Sequence, residues 1–181
     1  MDKPTPAEVA AAAGRTIPDV LAPDLDVVFC GINPGLWSAA VGHHFARPGN
    51  RFWPVLHRSG FTPEQLSPAD SGTLPDHRLG LTDLVARASA RADEIGYEEL
   101  VAGGKTLVAK LEEYRPAWLA VLGVGAYRWA FGTPAATVGP QPAPLGDTRV
   151  WVLPNPSGLN AHWTTPRLVE AFRELREATD Q

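Results

Sequence analysis

Two asparagines, Asn33 and Asn155, each stand before a proline and each follow a short apolar run: Val27-Val28-Phe29-Cys30 for the first, Trp151-Val152-Leu153 for the second. A residue before proline is pushed out of the α region, so both asparagines are expected to point away from any continuing helix. The first run, broken by Gly31-Ile32-Asn33-Pro34-Gly35, reads as a buried strand that ends in a tight, exposed loop. A carboxamide there can accept and donate hydrogen bonds but cannot take a proton at neutral pH. Its chemistry is therefore positioning and polarisation, not general-base catalysis. Between the two loops, Gly42-His43-His44-Phe45-Ala46-Arg47-Pro48-Gly49-Asn50-Arg51-Phe52-Trp53 supplies imidazoles, aromatics and guanidiniums. His43 and His44 have no third ligand at recognisable spacing, so no metal and no cofactor is expected.

These side chains need a scaffold that brings distant loops together. Strands are expected at Leu25–Ile32, Leu79–Val85, Trp118–Leu122 and Arg149–Leu153. Helices are expected near Pro4–Ala13, after Asn50 as a cap, over Tyr97–Tyr114, from Gly123 through Phe131, and over Pro166–Thr179. Residues 64–79 read as irregular or helical, and 133–146 as a Pro-rich connection. Strands alternating with helices predict a three-layer α/β/α single domain with a short, mainly parallel central sheet. Ligands of such sheets bind beyond the carboxyl ends of the strands, where both Asn-Pro loops would lie. Residues 1–24, punctuated by Pro18 and Pro23, read as an N-terminal appendage, with the domain proper spanning 25–181.

The 181 residues suit one domain with a sizeable core, and 44% hydrophobic with 20% charged residues excludes a disordered chain. No apolar stretch is long enough for a membrane span, and the amino-terminal alanine run is too weak for a signal-peptide core. The single Cys30 excludes an internal disulfide framework and a four-cysteine iron–sulfur cluster. A cytoplasmic location is expected, with nucleoid association in a prokaryote. The net charge of −4 argues against broad nucleic-acid affinity. However, the acids gather on two helices, whereas Arg47, Arg51, Arg87, Arg91, His43, His44 and His162 surround the motifs. A polarised surface is the expectation.

Taken in order, the Gly31–Gly35 run, the Gly42–Trp53 segment and Asn155-Pro156-Ser157-Gly158-Leu159-Asn160 resemble the mismatch-specific uracil-DNA glycosylase and thymine-DNA glycosylase family. The resemblance covers roughly Leu25 to Glu177. It implies a uracil-DNA glycosylase-like fold and a monofunctional glycosylase that excises uracil, and thymine or other altered pyrimidines, from mispairs such as G·U. Such an enzyme flips the base, hydrolyses the N-glycosidic bond and so initiates base excision repair. On this resemblance Asn33 holds the attacking water, and Gly31, Ile32, Ser38, Phe45 and Asn155 line the base pocket, with Phe45 stacking on the pyrimidine. Stacking of this kind contributes ~1–3 kcal/mol per base. Ser38 matches a position near the base's 5-substituent. Arg47, Asn50, Ser157, Gly158, Leu159 and Asn160 would contact DNA, with Leu159 as a wedge that fills the vacated stack.

Because an amide cannot take a proton, a carboxylate from elsewhere is a candidate assistant. Asp83, Asp93 and Glu94 lie near the second strand, and Asp93, beyond Arg87-Ala88-Ser89-Ala90-Arg91, is the preferred one. The implied partner is double-stranded DNA carrying G·U or related mispairs, with single-stranded DNA as a further substrate; the protein acts as a monomer and engages no membrane. Two alternatives belong to other classes. One is a non-catalytic DNA mismatch-recognition module, and the other a small-molecule nucleotide binder. The second lacks a recognisable phosphate loop, and Gly123-Val124-Gly125 misses the third glycine of a dinucleotide fingerprint.

Overall fold

A computed structural model describes residues 2–181. Four parallel strands, β1 (Val27–Gly31), β2 (Leu79–Asp83), β3 (Trp118–Leu122) and β5 (Arg149–Leu153), form a sheet that a two-residue antiparallel strand, β4 (Gly139–Pro140), extends at one edge. Their order is β2-β1-β3-β5-β4, so β1 and β3 are central. Every residue of both is buried, which is why they read as unbroken apolar runs instead of alternating patterns.

Alternate side chains go to opposite faces and build two cores. Val27, Phe29, Leu81, Ala120, Leu122 and Leu153 meet α3 (Phe52–Arg58) and α6 (Thr165–Ala178) on one face. Val28, Cys30, Leu119, Val121 and Val152 meet α4 (Tyr97–Tyr114) and α5 (Val124–Ala130) on the other. This is the expected three-layer arrangement. Thr164 caps α6, its side chain accepting from the Arg167 N–H, and a proline occupies the first turn.

Several local expectations are corrected. The first two strands are shorter than expected, ending at Gly31 and Asp83, although the Leu84 and Val85 N–H groups still donate to the Gly31 and Ile32 carbonyls at 2.9 Å. A six-residue helix, α2 (Leu36–Val41), follows the Asn33 loop; it is too short for a periodic signal and stops at Gly42, whose φ is 77°. Asn50 acts one position outside the cap. Its Oδ1 accepts from Phe52 N–H at 2.9 Å, while Arg51 is the capping residue of α3.

Residues 2–24 are joined closely to the rest. After α1 (Pro6–Ala11), Val20 exchanges both backbone hydrogen bonds with Leu81 at 2.8 and 2.9 Å. Asp19 accepts from Thr82 Oγ1 and pairs with Lys110 at 2.7 Å. Among the described residues no helix is long and apolar enough to cross a membrane.

Candidate active site

Beyond the carboxyl ends of β1, β2, β3 and β5 lies a cavity of about 330 Å³. It gathers Gly31, Ile32, Asn33, Ser38, Phe45, Arg47, Asn50, Asp93, Asn155, Ser157 and Leu159, and adds Ile17, His44, Asp83, Ser89 and Leu122. Gly158 and Asn160 do not line it; they shape the Asn155 loop from behind.

The orientation of Asn33 follows from its partners. Its Nδ2 donates to the Arg87 carbonyl at 2.9 Å and to Ser89 Oγ at 2.8 Å. Ser89 Oγ spends its own proton on the Arg91 carbonyl, at 2.7 Å. A carbonyl accepts only, so the amide cannot be flipped, and both of its N–H groups are used. Oδ1 takes no hydrogen bond from the protein among the described residues and is the atom left for the cavity. Asn33 is thus an acceptor only, where the sequence suggested both roles.

Asn155 is set the other way round. Its Oδ1 accepts from Ser157 N–H at 2.9 Å, closing a local Asx turn, so the NH₂ group is the part left free. Ser157 Oγ in turn accepts from Leu159 N–H at 3.2 Å, and Asn160 Nδ2 donates back to the Asn155 carbonyl at 3.0 Å. The loop's own polar groups hold Leu159 out, 74% exposed, at the cavity mouth.

Phe45 sits in a strained left-handed conformation at φ 53°, with its ring stacked on Phe52 at 4.3 Å between centroids. The residue also lines the cavity. Ser38 is buried, and its Oγ accepts from Ala46 N–H at 3.0 Å, so the hydroxyl fixes the Phe45 turn.

The buried carboxylate of the cavity is that of Asp83, at the end of β2 and in register with Gly31. A Cβ on Gly31 would stand 2.6 Å from Asp83 Oδ1, so only glycine lets the carboxyl lie across the strand end. The Asp83 side chain is 9% exposed. Burial, aided by the charge of Asp19 and opposed by Lys110, pushes its pKa up to about 7. His44 Nδ1 lies 3.6 Å from Asp83 Oδ2. His44 Nε2 meets the Pro18 carbonyl at 2.9 Å and must be the protonated nitrogen, leaving a lone pair on Nδ1 toward Asp83. Burial lowers the His44 pKa, which favours this neutral form.

Asp93 reaches the cavity rim, but its side chain is 72% exposed and pairs with Arg91 at 3.0 Å. Arg87 is occupied by both oxygens of Glu99, each at 2.7 Å. Arg47 is exposed and unpaired among the described residues, facing the cavity mouth. The place of Asp83 was within reach of the sequence: it is the last residue of a strand beside the motif strand, where sheet topology concentrates ligand contacts. Ile17 and Ser89 carried no sequence signal. Among the described residues no cluster of His, Cys, Asp and Glu could hold a metal. Cys30 is buried, and burial raises its pKa, so it stays a protonated core thiol.

Comparison with known proteins gives the same frame. The profile of the Uracil DNA glycosylase superfamily matches residues 18–177. Among solved structures, the fold is similar to a solution NMR structure from Methanosarcina acetivorans, provisionally described as a uracil DNA glycosylase. The TM-score is 0.60 at 23% identity, over 90% of this chain and 98% of that one.

Proposed function

The chain belongs to the Uracil DNA glycosylase superfamily, and on that premise we propose that it is a monofunctional, mismatch-directed glycosylase. It excises uracil from mispairs such as G·U and acts as a monomer to initiate base excision repair. The observation that carries this proposal is the opposed setting of the two amides: an acceptor-only Asn33 and a donor-bearing Asn155 line one cavity with Phe45.

Those polarities suit the two ends of the reaction. Asn33 Oδ1 accepts a hydrogen bond from a water and so turns a water lone pair toward the sugar carbon C1′. The C1′–N1 bond breaks, its electron pair leaves with the base, and the water oxygen bonds to C1′. Asn155 Nδ2–H donates to a base oxygen, where negative charge develops on departure. Phe45 stacks on the extruded ring. The proton lost by the water passes to the Asp83 carboxylate, whose pKa of about 7 matches a group that gains and loses a proton near neutrality. Asp83 fits this part better than Asp93, because a buried carboxylate acts through low dielectric and an exposed, paired one is screened by water. Once protonated, Asp83 faces the Nδ1 lone pair of His44, which favours the neutral acid. Leu159 enters the duplex, and Arg47 meets a phosphate.

The test is single-turnover base release from G·U, G·T, A·U and single-stranded uracil substrates, comparing the unaltered protein with Asn33→Ala. Uracil release that leaves alkali-labile abasic sites, and that the variant lacks, is the expected result. Tight binding to mismatched duplex without release of any base would instead make the protein a recognition module.

A further inference from the structure

The loop that carries Leu159 runs from β5 to α6 with no regular secondary structure, yet one side chain reaches three of its carbonyls. Arg51 Nη1 donates to the Trp163 carbonyl at 2.6 Å, and Nη2 donates to those of Ser157 at 2.8 Å and Asn160 at 3.2 Å. The backbone N–H of Arg51 adds a fourth link, to Pro156 at 3.0 Å. Nearby, the Gly158 backbone lies directly on the Gly49 carbonyl, which a Cβ on Gly158 would approach to 2.5 Å. The Leu159 loop is thereby fastened to the turn before α3, at both ends and in the middle.

We infer that Arg51 is a positioning residue that holds the loop in its inserting shape, so that it governs excision from duplex DNA and leaves excision from single strands nearly unchanged. This rests on the proposed wedge role of Leu159. The physical reasoning is one of preorganisation. A loop with no ladder would have to be ordered on the DNA as it enters the stack, at an entropic cost that lowers the rate of flipping. The planar guanidinium fork spans three carbonyls at once, which a lysine ammonium cannot reproduce from a single point. A single strand presents no stack to fill, and neither the loop's shape nor Leu159 limits its reaction.

The experiment is a double-mutant cycle with Arg51→Lys and Leu159→Ala, read as single-turnover uracil release from G·U duplex and from single strands, alongside thermal unfolding. Arg51→Lys is expected to slow duplex excision about tenfold while single-strand excision changes by less than about twofold; in the Leu159→Ala background its duplex effect should vanish. Equal losses on both substrates, or a full duplex loss persisting without Leu159, would overturn the inference. If Arg51→Lys fails to fold, Gly49→Ala, strained at φ 90°, disturbs the same fastening from the turn before α3 and must show the same duplex-only loss. An unaltered protein that releases no base from any substrate overturns the glycosylase proposal itself, a result separable from unequal behaviour of the variants.

Discussion

The two Asn-Pro loops share a dipeptide and a strand exit, and they present opposite ends of the same amide. At Asn33 the NH₂ group is anchored on the Arg87 carbonyl and Ser89 Oγ, 54 and 56 residues away in sequence, and oxygen faces the cavity. At Asn155 the oxygen is anchored on Ser157 N–H, two residues away, and nitrogen is left free. Distant chain segments pin the first loop; the second is shaped by local turn bonds and fastened by Arg51. A side chain's identity thus leaves its polarity open until its partners are known. Whichever end is bound to the protein, the other is what a ligand meets.

The sharpest way to break this contrast is Asn33→Ala, which removes the acceptor and should lower single-turnover uracil release by about 10²–10³-fold. A loss under about threefold would separate Asn33 from the chemistry.

Asp83→Asn comes next, with an expected loss of about a hundredfold at pH 8. The unaltered protein should gain rate as pH rises through about 7, the pKa of Asp83, and the variant should show no such rise. Stability should run the opposite way. The folded carboxyl keeps its proton to about pH 7 whereas the unfolded chain releases it near pH 4, so stability falls between those values and levels off above them. Thermal unfolding of Asp83→Asn should lack that slope; identical pH profiles for both proteins would contradict a buried, perturbed Asp83.

Smaller still, Asn155→Ala removes a donor and should weaken duplex and single-strand reactions alike by about tenfold, as for one lost hydrogen bond. If only the duplex reaction suffered, Asn155 would belong to the wedge and not to the base pocket. Asp93→Ala should change release by less than about twofold, as expected of an exposed ion pair. A large loss there would return the assisting role to Asp93.

Much of this molecule could be read from the chain alone. Five-residue apolar runs, turn chemistry at Asn-Pro-Gly and the spacing of Leu100, Leu107 and Leu111 specify a parallel sheet with helices on both faces, and they place both asparagines at strand ends. These are local effects of periodicity and backbone restriction. Helix α2 was hidden because six residues make less than two turns of pattern. The attachment of residues 2–24 was hidden because Val20 pairs with Leu81 across 61 positions, and no local signal announces such a bond.

At the site the division is the same. Sequence determined which side chains could do chemistry, since residue type alone fixes that an amide polarises and a carboxylate takes protons. Tertiary structure alone decided that Asp83 is buried and Asp93 solvated, that Arg87 and Arg91 are paired while Arg47 has no partner among the described residues, and which atom of each amide is offered. Burial, dielectric and hydrogen-bond partners are properties of what packs around a group, and here those surroundings come from segments far apart in the chain.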